Sequence, residues 1–337
     1  MVNNMMNNND HKEFNDFDEM IEFLEDIKAS TKIEDKSLKD LVFIANGKDL
    51  ALHLPNKTGG IDEVQVRSCA WNSLLQRLGI KGPAFAYESY IGMEAKTMIL
   101  NTAVTEMNET SSPWKFQLIT QKDAVNAFMS EKYVMIPIAD VFSAFYNKIA
   151  EIYQKLEFNF HGSWDWLLSF ADFEVDQIEM NNKKYQLHLT VDSSDIGESA
   201  IRIGAYVKGD NHGTSRSVPI MNDFNIIHTG YASMSTVETH LNGLEAAISD
   251  KARKVQELMN INIVPSWAKL EAIFKKVGLP IKKIRQQLIL DDCQTAWDVV
   301  QELSLIVTDP EDRDKEIRAQ SDLLKLFNTQ YWASVKI

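Results

Sequence analysis

Apolar residues follow two different spacings along the chain, and each spacing predicts its own kind of element. Residues 13–29 place apolar side chains on one helical face and acidic side chains off it, which predicts an acidic amphipathic helix. Residues 41–54 and 116–130 each hold two apolar runs around a polar turn, which predicts two β-hairpins. Asn46-Gly47 is placed at the first turn, because this pair readily adopts the positive φ angles of a tight turn.

Helical spacing returns after each of these hairpins. Residues 68–78 predict a helix that ends at Gly79. Pro137 stands near the start of another predicted helix, whose apolar face consists of Val141, Phe142, Phe145, Ile149 and Ile152. The polar residues 130–133 lie between the second hairpin and this helix. We interpret them as a corner in the fold and regard a catalytic loop as the less favoured alternative.

The middle of the chain, about residues 155–232, is predicted to be rich in β-strands. Its clearest strand patterns are residues 185–191 and 200–207, where β-branched and aromatic residues are frequent. The polar residues 208–217, which include two glycines, predict a mobile loop.

The last hundred residues are predicted to be helical almost throughout. Residues 235–238 have the pattern of a capping box, and one apolar stripe continues over residues 237–259. Gly278 and Pro280 separate two shorter helices, and residues 309–310 (Asp-Pro) open the final one.

These elements predict an α+β fold with no internal repeat of fixed period. We expect a mixed, mainly antiparallel sheet with hairpins in the N-terminal and central part, and a helical C-terminal region. The Asn-rich residues 1–12 are predicted to be a disordered tail. Residues 13–232 are predicted to form one α+β domain, on which the helical residues 233–337 pack.

Composition limits the compartment and the class of partner. The 337 residues are 45% hydrophobic and 25% charged, and the net charge is −13. A strongly acidic surface disfavours wrapping of nucleic acid around the whole protein, although a local basic surface remains compatible with it. Two cysteines form no disulfide framework, so we expect a reducing cytoplasm. We also expect no signal peptide and no membrane partner, since no long apolar segment occurs.

Candidate chemistry is sparse. None of the seven histidines belongs to a metal-binding pattern, and we expect no metal and no cofactor. His188 and His228 can approach each other only if their strands are neighbours. Residues 209–213 contain glycines but lack the Lys-Ser/Thr of a phosphate-binding loop. Trp164 and Trp166 are interpreted as core residues rather than a base-stacking platform. Because no nucleophile, base and orienting group can be recognised together, an enzyme is less favoured than a binding protein.

One segment departs from the acidic character of the chain. Residues 251–290 contain nine Lys or Arg and two acidic residues, a net charge of +7, so the rest of the chain carries −20. Such a segment can contact phosphates. Self-association with the acidic helix of another copy and an ordinary solvated helix face remain alternatives. The candidate nucleic-acid-binding residues are Lys269, Lys275, Lys276, Lys282, Lys283 and Arg285.

Four stretches, taken in order, resemble a known family. They are "AWNSLLQRLGI" (70–80), "AVNAFMSEKYVMIPIADVF" (124–142), "SSDIGESAIRIGAYV" (193–207) and "TAWDVVQELSLIV" (295–307). Their order is similar to that of domain-of-unknown-function family 932, whose members are encoded largely by phages and plasmids. The resemblance implies an origin on a mobile element, and it implies no activity and no catalytic residues.

The chain also departs from the family pattern. Ser194-Asp195 stands where the family usually has Asn-Ser. The Cys-x-Asn-Gly that often follows is absent, and "IIHTGY" (226–231) is at best its remnant. If those residues perform chemistry in relatives, this chain has lost them.

Two classes of function follow. The first is an accessory protein of a phage or plasmid that binds single-stranded nucleic acid, without regard to sequence, through the basic helical segment. The second is a non-enzymatic factor that binds a host protein through its acidic surface. In either case the expected location is the host cytoplasm, and a homo-oligomer is a further candidate assembly.

Overall fold

Two six-stranded sheets and the helices packed on them form the described part of the protein. A computed structural model describes residues 11–55, 59–81, 91–110, 114–122, 124–154, 158–180, 183–211, 214–264, 266–307 and 313–336. The predicted α+β class, with mainly antiparallel strands and a helical C-terminal part, is confirmed.

Sheet 1 contains both predicted hairpins. Its strand order is β2-β6-β7-β5-β4-β3, and only the β5–β7 pair is parallel. Gly47 has a φ of 63° in the β3–β4 turn, as the Asn-Gly pattern predicts. The strands are β2 (Thr31–Ser37), β3 (Val42–Asn46), β4 (Asp49–Pro55), β5 (Ile61–Val66), β6 (Lys115–Gln121) and β7 (Ala124–Ser130).

Two helices cover one face of sheet 1. The helix predicted at residues 68–78 is confirmed as a 3-10 turn followed by α2 (Trp71–Arg77), and Gly79 after it has a φ of 66°. Helix α3 (Met93–Thr110) is fastened to the edge strand β3 by Asn101, whose side chain bonds both the backbone N–H and the carbonyl of Phe43 at 2.8 Å. Buried leucines and phenylalanines fill the space between sheet and helices.

Sheet 2 is antiparallel throughout, in the order β1-β8-β9-β10-β11-β12. It packs against α1 (Phe17–Ser30) and α4 (Ile138–Tyr153), which match the two amphipathic patterns of the N-terminal half. Trp164 and Trp166 are buried, so their predicted core role is confirmed. The strands are β1 (Lys12–Phe14), β8 (Asn159–Trp164), β9 (Ser169–Met180), β10 (Lys183–Ser193), β11 (Ile201–Asn211) and β12 (Thr214–Ile226).

Two expectations for sheet 2 need correction. The predicted tail and the predicted start of the first helix are wrong at residues 12–14, which pair with β8; residues 1–10 lie outside the described residues. The predicted mobile loop at residues 208–217 is also wrong at residues 208–211 and 214–217, which are paired ends of β11 and β12; residues 212–213 lie outside the described residues. The backbone ladder extends here without apolar side chains, and hydrophobic patterning cannot detect such a strand end.

Six α-helices form most of the described C-terminal part. The predicted break at Gly278 is confirmed, with a φ of 95°. The predicted cap is displaced by two residues, since Ser233 accepts the N–H of Thr236, and Gly243 divides the long apolar stripe between two helices. Residues 309–310 lie outside the described residues. The helices are α5 (Met234–Asn242), α6 (Leu244–Met259), α7 (Trp267–Val277), α8 (Ile281–Gln287), α9 (Ala296–Val307) and α10 (Arg313–Lys325).

Sheet 2 has one apolar and one polar face. Odd-numbered residues of β10 and β11, such as Leu189 and Ala205, belong to the apolar core, and helices α6, α9 and α10 contact β12. A bond from Trp297 Nε1 to the hydroxyl of Tyr185 (3.2 Å) ties α9 to β10. Even-numbered residues point to the opposite face, where polar side chains collect.

Candidate nucleic-acid interface and buried polar clusters

The six candidate nucleic-acid-binding residues all lie exposed on or beside the α7–α8 corner, and we call this set the basic surface. Leu270, Phe274 and Ile284 on the same two helices are fully buried. Helical periodicity therefore separates a core-facing stripe from a face of cations. The members of the basic surface are Lys269, Lys275, Lys276, Lys282, Lys283 and Arg285.

One carboxylate lies within the basic surface. Glu271 bonds Lys275 Nζ at 2.6 Å and lies 3.6 Å from Arg285, and these cations hold the pKa of its carboxyl below the ordinary value. Lys276 Nζ lies 4.7 Å from the ring centroid of Tyr331. The other three lysines form no ion pair with a described residue. Six cations and one carboxylate leave a charge of +5.

The cations of α6 contribute less than the sequence indicates. Arg253 bonds Asp250 at 2.7 Å and also pairs with Glu257, while Lys254 bonds the same Asp250 at 2.8 Å. Asp250 lies just outside the segment that was counted in the sequence. The positive surface is thus concentrated on α7 and α8.

Two of the stretches that carry the family resemblance, 124–142 and 193–207, meet residues 226–231 in one buried place. The hydroxyl of Tyr133 donates to the backbone oxygen of Asp195 at 2.7 Å, and its ring stacks on His228 at 5.7 Å. His228 Nδ1 donates to the carbonyl of Val134 at 3.3 Å, and burial lowers the pKa of its imidazole. The polar residues 130–133 are therefore a corner on this side, as predicted.

Asp195 is the buried carboxyl group of this junction. Its Oδ1 accepts the backbone N–H of Ile138, the first residue of α4, at 2.9 Å. Burial raises the pKa of Asp195 to about 7, the bond from Ile138 opposes this shift, and the charge of Asp140 adds to it. The side chain thereby supplies a capping acceptor at a helix start where Pro137 has no side-chain acceptor of its own.

A second polar cluster lies on the polar face of sheet 2. His188 Nδ1 donates to Asp172 at 3.1 Å, and the hydroxyl of Tyr206 donates to the same carboxylate at 2.5 Å. The rings of His188 and Tyr206 stack at 4.5 Å. His188 Nε2 has no hydrogen-bond partner among the described residues and lies 4.0 Å from a carboxylate oxygen of Glu174.

This arrangement orients a histidine as a catalytic dyad does, with a carboxylate on Nδ1 and Nε2 left as a base. Nε2 is nevertheless shielded from solvent, so the geometry supports a structural network rather than a base in contact with substrate. His188 and His228 do not meet, because β10 has β9 and β11 as neighbours and His228 follows β12. Sequence reasoning missed Asp172 and Tyr206, because only the strand register brings them to the histidine.

Among the described residues, no group of three or more His, Cys, Asp or Glu side chains is arranged to hold a metal ion. Within the same part of the chain, every helix is too short or too polar to cross a membrane. Comparison of the chain with protein-family models, curated proteins and solved structures finds no match. The resemblance to domain-of-unknown-function family 932 therefore stays a prediction.

Proposed function

We propose that the protein binds single-stranded nucleic acid, without regard to sequence, through the basic surface on α7 and α8. The observation that supports this proposal is the exposure of six cations beside a single carboxylate on two adjoining helices. The accessory role on a phage or plasmid, which the family resemblance implies, belongs to the same proposal.

Electrostatics supply the binding energy in this proposal. Five of the six cations are lysines, which act as point charges toward phosphate and do not read bases. Tyr331 beside Lys276 offers one aromatic ring to an unstacked base. The −20 carried outside residues 251–290 repels the phosphate backbone elsewhere and confines the contact to this surface.

A salt titration tests the proposal quantitatively. If about four phosphates are contacted on a single strand, the logarithm of the affinity falls with a slope of about −3 against the logarithm of salt concentration. Affinity should then drop about 50-fold between about 50 and 200 mM salt. Fluorescence anisotropy with labelled single- and double-stranded oligonucleotides of two unrelated sequences measures the slope and the sequence preference.

A charge-matched pair of variants separates a local surface from net charge. Changing Lys275, Lys276, Lys282 and Lys283 to Glu should abolish binding and keep the fold, because all four side chains are exposed. The same change at four exposed lysines elsewhere should retain most of the affinity; these are Lys32, Lys39, Lys48 and Lys184. Equal loss in both variants, or no binding by the unmodified protein at low salt, would refute the proposal and favour a protein partner.

A further inference from the structure

A small cavity of about 190 Å³ lies at one end of sheet 1. Arg77, the last residue of α2, lines it together with Lys115, the first residue of β6. Ser130, at the end of β7, and Lys132 complete the polar part of the wall. The cavity is separate from the basic surface, which lies on the C-terminal helices.

Three of the side chains that line this cavity are cationic. Arg77, Lys115 and Lys132 line it with a single carboxylate, that of Glu131, which gives a net charge of +2. None of the three cations forms an ion pair with a described residue. Like charges beside one cavity repel each other, and a bound anion relieves the repulsion. These three cations occur in a chain whose overall charge is −13.

Arg77 also carries an unused hydrogen-bond donor. Its Nε is shielded from solvent and has no acceptor among the described residues. A guanidinium group presents a planar fork of donors that matches the oxygens of a phosphate, and Arg77 forms part of the cavity wall. The hydroxyl of Ser130 adds a further donor to the lining.

The rim of the cavity is aromatic. Trp114 lines the cavity and is 47% exposed, although tryptophan side chains are on average largely buried. Its carbonyl accepts the backbone N–H of Leu38 at 2.9 Å, which fixes the backbone at this position. An exposed indole beside cations is suited to stacking on a nucleobase, because every base has a π-face.

We propose that this cavity binds the terminal phosphate of a 5′-nucleotide, with the base stacked on Trp114. A phosphate monoester carries a charge of about −1.5 to −2 at neutral pH, which matches the +2 of the lining. The volume is below the roughly 300 Å³ at which whole-ligand pockets begin, so only the phosphate enters and the base stays at the rim. The source is a free nucleotide or the 5′-phosphorylated end of a strand.

The corner at residues 130–133 contributes both to the buried junction and to the cavity. Tyr133 packs into the buried junction with Asp195, whereas Ser130 and Lys132 face the cavity. A stretch that resembles a family motif therefore links a structural junction to a candidate ligand site. The inference does not depend on nucleic-acid binding by the basic surface.

Calorimetric titration tests the site in the full chain that carries the four Lys→Glu changes on α7 and α8, so that the basic surface cannot contribute. Adenosine 5′-monophosphate should bind, and adenosine should bind at least roughly tenfold more weakly, since it lacks the charge. Lys132→Gln and Arg77→Lys should each weaken the nucleotide several-fold. The exposed Lys48→Gln serves as the control and should leave the affinity unchanged.

Two further titrations examine the stacking and the source of the phosphate. Trp114→Leu should lower the affinity for the nucleotide toward that for inorganic phosphate, and it should leave the affinity for inorganic phosphate unchanged. A 5′-phosphorylated oligothymidylate that binds more tightly than its 5′-hydroxyl form identifies a strand end as a ligand; if only the free nucleotide binds, that is the source.

Several outcomes would overturn the inference. They are the absence of nucleotide binding at millimolar concentration, equal affinity for the nucleotide and for adenosine, and an equal loss of nucleotide affinity in Lys132→Gln and Lys48→Gln. Failure of the basic surface gives a different result, in which the unmodified protein does not bind a 5′-hydroxyl oligonucleotide and still binds the nucleotide.

Discussion

Replacing Asp195 by asparagine should remove a pH-dependent loss of stability from the protein. The carboxyl group is 3% exposed, and its Oδ1 accepts the N–H of Ile138 at the start of α4. An asparagine side chain keeps an Oδ1 acceptor in the same place and cannot ionise. The substitution therefore changes the charge and preserves the hydrogen bond.

The size of the effect follows from the shift of the pKa. Burial raises the pKa of Asp195 in the folded protein to about 7, whereas an aspartate in the unfolded chain has a pKa of about 3.9. The folded state thus holds this proton more tightly than the unfolded state. The stability contributed by the protonated group is fully present below about pH 4 and is lost as the pH rises to about 7. Three pH units at 1.36 kcal/mol each correspond to about 4 kcal/mol.

Urea denaturation followed by circular dichroism at pH 5, 6, 7 and 8 measures the difference between the two proteins. Relative to Asp195→Asn, the unmodified protein should lose about 2 kcal/mol between about pH 5 and 7, and little more above that. The difference in free energy of unfolding between the two proteins cancels the contributions of other titrating groups. One of these is His228, whose lowered pKa gives the opposite dependence on pH, because its contribution to stability is lost as the pH falls.

Asp195→Ala separates the charge from the hydrogen bond. Its free energy of unfolding should depend on pH in the same way as that of Asp195→Asn but be about 1–3 kcal/mol lower, because the buried N–H of Ile138 loses its acceptor. A constant difference between Asp195→Asn and the unmodified protein from pH 5 to 8 would refute the reasoning. It would mean that the carboxyl group is ionised at low cost inside the fold.

Two further predictions concern other positions. Gly197→Ala should lower the free energy of unfolding by about 3 kcal/mol, because φ is 72° and the new Cβ would lie 2.7 Å from the ring of Tyr133. Gly47→Ala should lower it by only about 1 kcal/mol, because φ is 63° and no atom lies within 4 Å of the new Cβ. Equal losses in urea denaturation would contradict this steric explanation. Asp172→Ala removes an acceptor that Tyr206 and a histidine share and should lower the free energy of unfolding by about 2–4 kcal/mol, whereas Tyr206→Phe removes one donor and should lower it by about 1 kcal/mol. A smaller loss for Asp172→Ala than for Tyr206→Phe would contradict the role of Asp172 as the shared acceptor.

Elements defined by local patterns could be predicted from the sequence. The β3–β4 hairpin follows from Asn46-Gly47, and the break between α7 and α8 follows from Gly278, because each needs only a backbone preference of one or two residues. The exposure of all six cations of the basic surface follows from the helical spacing of the apolar residues between them.

Features that depend on pairing partners could not be predicted. The ends of β11 and β12 were interpreted as a loop, since their residues are polar and only the cross-strand ladder makes them strands. The sequence overestimates the basic character of α6, because Asp250, one residue before the counted segment, pairs with two of its cations.

The sequence alone therefore determined the α+β class, the two hairpins, the main amphipathic helices and a localised basic segment, all of which arise from interactions within a few residues. Only the tertiary structure decided that Arg77, Lys115 and Lys132 share a cavity, and that Asp195 caps a helix more than fifty residues away in the chain. Strand register and helix docking bring such groups together, and both are set by the packing of the whole core rather than by local residue preferences.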